Sequence, residues 1–302
     1  MIEYINKFLN GKCEEVMKKF PNESIDMILT SPPYADRRFY GTDEFKIKPD
    51  NYVDWFMPKA YEVFRVLKNG GNFILNISDT VTNGEQHIYA FELLIKLKKE
   101  IGFTFVRDYI WHNPATPPNV YSSGRFGRTK KSHEYCFWLA KGDTWTFNLD
   151  PIRKPYGKDM EKYLNGQGKG NRDANTRPST HNFNCEKVWE NNGGADPGSV
   201  ITVGNTNSND DFIKMCREVG MAHPARFPEK LAEFFILSGS NEGDIVLDPF
   251  SGSGTTAVVA QRYRRGWIGI DANEVYCKLA QMRVEKEFGR KEEETETRPI
   301  NE

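Results

Sequence analysis

No stretch of this chain approaches the roughly eighteen uninterrupted apolar residues that a helical membrane span requires, so a helical membrane protein is excluded at the outset. The N-terminal segment MIEYINKFLNGKCEEV carries acids early and lacks an apolar core followed by small residues, which argues against a secretory signal and for a cytoplasmic location. Cysteine is scarce: Cys13, Cys136, Cys185, Cys216 and Cys277 are odd in number and scattered, with neither a CxxC pair nor the histidine spacing of a zinc site. Reduced structural thiols and no metal ion are expected. The five histidines show no acid–nucleophile pattern and read as hydrogen-bonding or surface groups. Nor is there an excess of one charge, since 41 Lys plus Arg stand against 42 Asp plus Glu. Nucleic-acid binding must therefore rest on local charge distribution.

That distribution is uneven. Between Tyr121 and Glu190 about thirteen cations face about eight acids, whereas the tail 290–302 is acidic, poor in apolar residues and expected to be disordered. With 38% hydrophobic and 13% aromatic residues in 302, the rest has material for one large α/β domain with an insertion, or for two domains.

The pattern along the chain alternates strand and helix. Ser24–Thr30 is a short apolar run stopped by Ser31-Pro32-Pro33-Tyr34, where two prolines forbid further strand pairing. Tyr52–Leu67 has helical periodicity, Lys68-Asn69-Gly70-Gly71 reads as a turn, and Asn72–Ile77 as a buried strand. A helix over Ile88–Glu100 and strands over Phe103–Trp111 and His133–Ala140 continue the series, and Trp111, Trp138 and Trp145 read as core. From Asp143 to about Gly220 regularity is lost in Asn, Gly, Pro, Ser and basic residues. It returns with helices at Pro228–Leu237, Thr255–Tyr263 and Val275–Phe288 and strands at Ile245–Leu247 and Trp267–Ile270. The expected architecture is a doubly wound, mostly parallel sheet with helices on both faces. Its two halves, 1–142 and 221–289, flank a loop-rich insertion at 143–220.

Two loops carry chemistry. In IVLDPFSGSGTT the strand runs into Asp248-Pro249-Phe250 and then Gly252-Ser253-Gly254 at a helix start. Glycines there let a ligand approach the backbone, and free N–H groups at a helix N-terminus bind an anionic group. Asp271 ends the next strand about twenty residues on, where an acid accepts hydrogen bonds from ribose hydroxyls. The third glycine of a dinucleotide fingerprint is absent, and a GxG is also what an ordinary tight strand–helix turn uses. In Ser31-Pro32-Pro33-Tyr34 the prolines make a rigid loop with carbonyls but no N–H donors. The Ser31 hydroxyl and Pro32 carbonyl are two acceptors for the hydrogens of an exocyclic base amine, whose lone pair they would free from the ring. The Tyr34 ring would stack on the base or favour a sulfonium charge. Taken alone, the tetrapeptide is equally a proline turn closing a strand.

Together the two loops resemble those of the DNA amino-methyltransferases, in the permuted beta class that places the catalytic loop ahead of the cofactor loop. The family's DPFxGSGTT is matched at 248–256 and its (D/N/S)PP(Y/F/W) at 31–34. Leu67-Lys68-Asn69-Gly70-Gly71, His112-Asn113-Pro114 with His133-Glu134-Tyr135, and His223-Pro224-Ala225-Arg226-Phe227-Pro228 extend the likeness to about two-thirds of the chain. The resemblance implies a methyltransferase fold that uses S-adenosyl-L-methionine on double-stranded DNA, with the insertion as target-recognition region. It assigns Ser31, Pro32, Pro33 and Tyr34 to catalysis. Asp248, Pro249, Phe250, Gly252, Ser253, Gly254, Thr255 and Thr256 then line the methionine end of the cofactor, with Phe227 nearby and Asp271 at its ribose. Where the family often has an acid for the adenine amine this chain has Gly11-Lys12-Cys13, which passes that contact to the Cys13 backbone. Arg125, Arg128, Lys130 and Lys131, in a run that could equally be a solvated loop, suit phosphate contacts. Within the family, serine ahead of Pro-Pro usually accompanies cytosine N4 methylation, and Asp or Asn adenine N6. A restriction-modification setting with a companion endonuclease, a homodimer and a target base rotated out of the duplex complete the expectation. Adenine N6 methylation of DNA is the first alternative; an RNA or small-amine methyltransferase stands behind it, since it leaves the basic insertion unused. A nucleotide-binding dehydrogenase leaves the Ser-Pro-Pro-Tyr loop unexplained.

Overall fold

The computed structural model describes residues 1–35, 47–116, 127–165, 190–205, 211–220 and 226–296. The strands are β1 (Lys7–Asn10), β2 (Ile25–Thr30), β3 (Leu67–Ile77), β4 (Val81–Thr82), β5 (Glu85–Gln86), β6 (Thr104–His112), β7 (His133–Ala140), β8 (Val200–Thr202), β9 (Ile245–Asp248) and β10 (Gly266–Asp271). The helices are α1 (Cys13–Met17), α2 (Tyr52–Val66), α3 (Tyr89–Lys96), α4 (Lys158–Leu164), α5 (Asp211–Glu218), α6 (Glu229–Gly239), α7 (Thr255–Arg262) and α8 (Glu274–Glu296). Among the described residues no helix is long and apolar enough to cross a membrane.

Eight strands form one sheet in the order β1-β10-β9-β2-β3-β7-β6-β8, while β4 and β5 pair as a separate hairpin. The sheet is mostly parallel; only β7 runs against its neighbours β3 and β6. The near-continuous apolar runs of β2 and β9 follow from burial on both faces. One face is covered through Val16, Met17, Phe56, Ala60, Val63 and Leu93 of α1–α3. The other is covered through Leu231, Phe235 and Ile236 of α6 and Val258 and Val259 of α7.

The Lys68–Gly71 segment, read from sequence as a turn ahead of a strand, lies within β3. Leu67 pairs with Ile25 and Asn72 with Met27, so four residues bulge opposite Asp26 alone. A side chain at Gly71 would stand 2.8 Å from the Asp26 carbonyl oxygen, which is why glycine is required there. Of the three tryptophans read as core, Trp111 and Trp138 are buried but Trp145 is 37% exposed.

By contacts, the chain divides into a large unit (1–147 and 199–302) and a small one, Asn148–Gly198. Strand β8 joins the large sheet beside β6, and Phe212 and Cys216 of α5 pack on Leu279 of α8, so the ends of the irregular stretch belong to the large unit. The small unit contains α4 and a bridge between Lys154 and Ala195, braced by Arg153 on Asp150 and Asp196. Helix α8 continues to Glu296, into the acidic stretch that begins at Arg290.

From β2 the chain passes through α2 to β3 on one side, and from β9 through α7 to β10 on the other. The sheet order therefore reverses between β2 and β9, and in open α/β sheets ligands bind in the crevice at the carboxyl ends of such strands. Ser31 follows β2 and Pro249 follows β9, so this topology brings the two loops side by side.

Candidate active site

Asp248 joins the two loops. Its carboxyl is buried, accepting from the Thr30 hydroxyl at 2.6 Å, the Thr256 hydroxyl at 2.7 Å and the Phe250 N–H at 3.1 Å. Burial pushes its pKa up to about 6, against the lowering effect of these bonds, and the nearby Asp271 charge adds to the rise. Asp248 and Thr256 thus act as an internal clamp, with their polar atoms turned inward.

The glycine loop is pinned where it begins. The Ser251 N–H donates to the Ile270 carbonyl at 2.9 Å and the Gly252 N–H to Asp271 Oδ2 at 2.9 Å. Asp271 Oδ1 accepts from the Asn273 N–H at 2.8 Å; burial raises this carboxyl's pKa and the two N–H bonds oppose the rise. Gly252 and Gly254 both have left-handed backbones, with φ of 47° and 71°, but face different surroundings. Among the described residues, a Cβ at Gly252 would meet nothing nearer than the Phe250 oxygen at 4.0 Å, whereas one at Gly254 would stand 2.8 Å from Phe8 Cζ. Gly252 therefore borders open space, and Gly254 is fixed by packing. Behind the loop, the buried Arg283 of α8 donates to the Ser253 carbonyl at 2.9 Å and the Thr255 hydroxyl at 3.2 Å, and pairs with Glu229.

Several features fit the methionine and nucleoside parts of S-adenosylmethionine: open backbone at Gly252, a carboxyl on Asp271 with unused lone pairs, and a buried Ser251 hydroxyl without a hydrogen-bond partner among the described residues. The Phe250 ring, packed on Trp55 at 5.9 Å and Phe56 at 6.4 Å, adds an apolar wall. Cys13 is buried at the start of α1, its thiol pushed far above the usual range by burial and the Glu14 charge. Glu14 is paired with the buried Lys59 at 3.1 Å. Phe227 lies in the core with Leu231 and Phe235.

On the catalytic side, Ser31 is half-buried while Pro32, Pro33 and Tyr34 are buried. Tyr34, read from sequence as a stacking platform, is only 7% exposed, and its hydroxyl rather than a ring face meets the serine. That hydroxyl lies 3.1 Å from Ser31 Oγ, 2.7 Å from Glu134 Oε2 and 3.4 Å from Asn76 Oδ1. Asn76 is held in turn by donation to the Tyr135 carbonyl at 3.2 Å. Glu134 and Asn76 were not singled out from the sequence, although a polar residue in the apolar run NFILNI and the acid in His-Glu-Tyr were its visible traces.

The basic run is divided by its surroundings. Arg125 lies outside the described residues. Arg128 is half-buried and donates to the Gly84 carbonyl, while the exposed Lys130 donates to the Thr116 carbonyl at 2.9 Å. Lys131 is turned inward: its ammonium is 3.8 Å from the buried Asp79 carboxyl and 5.0 Å over the Tyr135 ring, with 18% of the side chain exposed.

An open α/β sheet with a pinned glycine loop, an acid ending the next strand and a facing Ser-Pro-Pro-Tyr loop defines a methyltransferase of the Rossmann-like, S-adenosylmethionine-dependent class. Residues 25–282 match the DNA methylase family model of N6 and N4 methyltransferases, and the chain belongs to this family. It is 33% identical over 280 residues to the Type II methyltransferase M.PvuII of Proteus hauseri, covering 90% of this chain and 82% of that protein. It is 29% identical over 282 residues to the DNA adenine methyltransferase YhdJ of Escherichia coli, covering 92% and 82%. Among solved structures, the PvuII DNA methyltransferase (cytosine-N4-specific) superposes with a TM-score of 0.68 at 27% identity, covering 94% of this chain and 91% of that one. The protein is therefore a DNA methyltransferase that uses S-adenosylmethionine.

Proposed function

We propose that the protein methylates the exocyclic N4 amine of cytosine at specific sites in duplex DNA. The observation that carries this reading is the acceptor at the strand end: Ser31 presents a neutral hydroxyl, held by Tyr34 at 3.1 Å. When bound, S-adenosylmethionine supplies a methyl carbon activated by its sulfonium. Gly252, the Asp271 carboxyl and the Phe250 wall hold it at the carboxyl ends of β9 and β10. On the other side of the crevice, the Ser31 hydroxyl and Pro32 carbonyl take the two amine hydrogens and direct the nitrogen lone pair toward the methyl group. The target base leaves the duplex to reach them, since an amine inside the helix cannot meet both.

The small unit, with the irregular residues around it, serves as the target-recognition region. The exposed Lys130 contacts phosphate. Likeness to a Type II methyltransferase supports a restriction-modification setting with a companion endonuclease. A cytoplasmic location and association as a homodimer complete this reading. Adenine N6 is the second reading, supported by the likeness to YhdJ. Digestion of DNA from cells expressing the protein, followed by mass spectrometry of the nucleosides, decides between them. N4-methylcytosine is expected; N6-methyladenine alone overturns the base assignment, and no modified nucleoside overturns the activity.

A further inference from the structure

A methylated amine must lose a proton, and Ser31 alone has no means of keeping it. The polarity of the hydrogen bonds around Tyr34 supplies the route. A tyrosine hydroxyl has one hydrogen to donate and lone pairs to accept. Of the two acceptors described at this hydroxyl, the Glu134 carboxylate at 2.7 Å is charged and near, and the Asn76 amide oxygen at 3.4 Å is neutral and far. Charge-assisted bonds are the shorter and stronger ones, so the Tyr34 hydrogen lies toward Glu134. At its 3.1 Å contact with Ser31, Tyr34 is then the acceptor, and the Ser31 hydrogen points to Tyr34. The serine oxygen is left with its lone pairs for the substrate amine.

We propose that Glu134 is a positioning residue for the methyl transfer: through Tyr34 it turns Ser31 into an acceptor and, once transfer has occurred, receives the proton the amine gives up. The inference rests on the amine-methylating reading above and deepens it. The step balances. The bond from nitrogen to the methyl carbon forms, the carbon–sulfur bond breaks with its electron pair left on sulfur, and the nitrogen carries the positive charge. One proton moves from nitrogen to Ser31 Oγ, the serine hydrogen to the Tyr34 oxygen, and the tyrosine hydrogen to Glu134, which is half-buried and returns it to solvent. No group other than Glu134 ends the sequence in a changed protonation state. The Asn76 amide oxygen has no basicity comparable to a carboxylate, so it does not take the proton.

The test compares single-turnover methylation by the wild type, Glu134→Gln, Glu134→Asp, Tyr34→Phe and the double variant Tyr34→Phe/Glu134→Gln, all as full chains on duplex DNA. Glu134→Gln is expected to slow the transfer step by about 10- to 100-fold while leaving DNA affinity and S-adenosylmethionine affinity unchanged. Glu134→Asp restores part of the rate. Because the two side chains act in one relay, the double variant is no slower than Tyr34→Phe alone. A wild-type rate in Glu134→Gln, or losses that multiply in the double variant, would overturn the proposal. A second arm needs neither cofactor nor DNA. With tyrosines labelled at Cζ, the NMR line that disappears in Tyr34→Phe is expected to move in Glu134→Gln, and an unmoved line shows that Glu134 does not hold the hydroxyl. If the wild type transferred no methyl group to DNA, the functional reading and the proton step would fall together, while this arm would still decide the positioning of Tyr34.

Discussion

Gly252 donates its backbone hydrogen to Asp271 Oδ2 at 2.9 Å, so the loop that borders the open crevice is held in place by the acid at the end of the neighbouring strand. Asp271 anchors the glycine loop and, in the proposed reading, also faces the ribose of the cofactor. Asp271→Ala should therefore lower S-adenosylmethionine affinity by about 10- to 100-fold, through lost ribose bonds and a loosened loop. It should also cost about 1–3 kcal/mol of stability, because the Gly252 and Asn273 N–H groups lose their partner. Titration calorimetry and urea unfolding measure the two separately. Undiminished affinity would place the ribose elsewhere, and unchanged stability would deny the anchoring.

The paired glycines separate in the same way. Gly254→Ala should be destabilised by about 2–4 kcal/mol, from the left-handed backbone and the overlap with Phe8 together. Gly252→Ala meets only the backbone term, about 1 kcal/mol, since among the described residues its new methyl group overlaps no atom, the Phe250 oxygen standing 4.0 Å away. Its larger consequence is weaker cofactor binding, as the methyl group fills space that the ligand needs. A melting comparison that ranks the two variants the other way would contradict the surroundings assigned to each.

Asp248 gives the pH dependence. Burial raises its folded pKa from 3.8 to about 6, so in that interval the native protein holds a proton that the unfolded chain has released. Stability contributed by this group is fully present below the unfolded pKa and is lost as pH rises through about 6, with a total on the order of 3 kcal/mol. Asp248→Asn removes the ionisation but keeps an acceptor for Thr30 and the Phe250 N–H, and Thr256 can turn its hydrogen toward the Leu29 carbonyl at 3.5 Å. Subtracting the variant's unfolding free energy from that of the wild type between pH 4 and 7 should leave a difference that falls as pH rises. A difference flat across the range would mean that Asp248 does not titrate there.

The parts of the site that could be read from sequence are those encoded by the backbone. Two prolines can do little at a strand end except make a rigid loop, and Gly252 and Gly254 mark positions where φ is positive, so Ser31–Tyr34 and the loop at 248–256 stood out directly. Asp271 was found from spacing, because one helix and one short strand fix its distance from the glycines. Mostly parallel pairing also followed from the alternation of elements. The side-chain network did not. Glu134 and Tyr34 are a hundred positions apart and meet because β7 runs antiparallel beside β3, a strand direction that no local pattern records. Strand β1 is only four residues, KFLN, too short to show a period, yet it edges the sheet beside β10. Lys131 was grouped with Lys130 because adjacent cations in a polar run look alike until the fold shows which one has a buried acid beside it.

That difference between the two lysines is testable with salt. Lys130 is exposed and held by one carbonyl bond, so it can turn to a phosphate at little cost. Lys131 balances Asp79, whose carboxyl is otherwise held by the Ala90 N–H at 3.1 Å, and moving its ammonium to DNA would leave that buried acid without its countercharge. Lys130→Gln should weaken binding to all duplex sequences alike and reduce the slope of log affinity against log salt by about one. Lys131→Gln should leave that slope unchanged and instead lower folding stability by about 1–3 kcal/mol. Fluorescence anisotropy on a cognate and a scrambled duplex across a salt series, beside urea unfolding of both variants, gives the four numbers required. Equal loss of slope in the two variants would show that Lys131 leaves Asp79 for phosphate when DNA arrives.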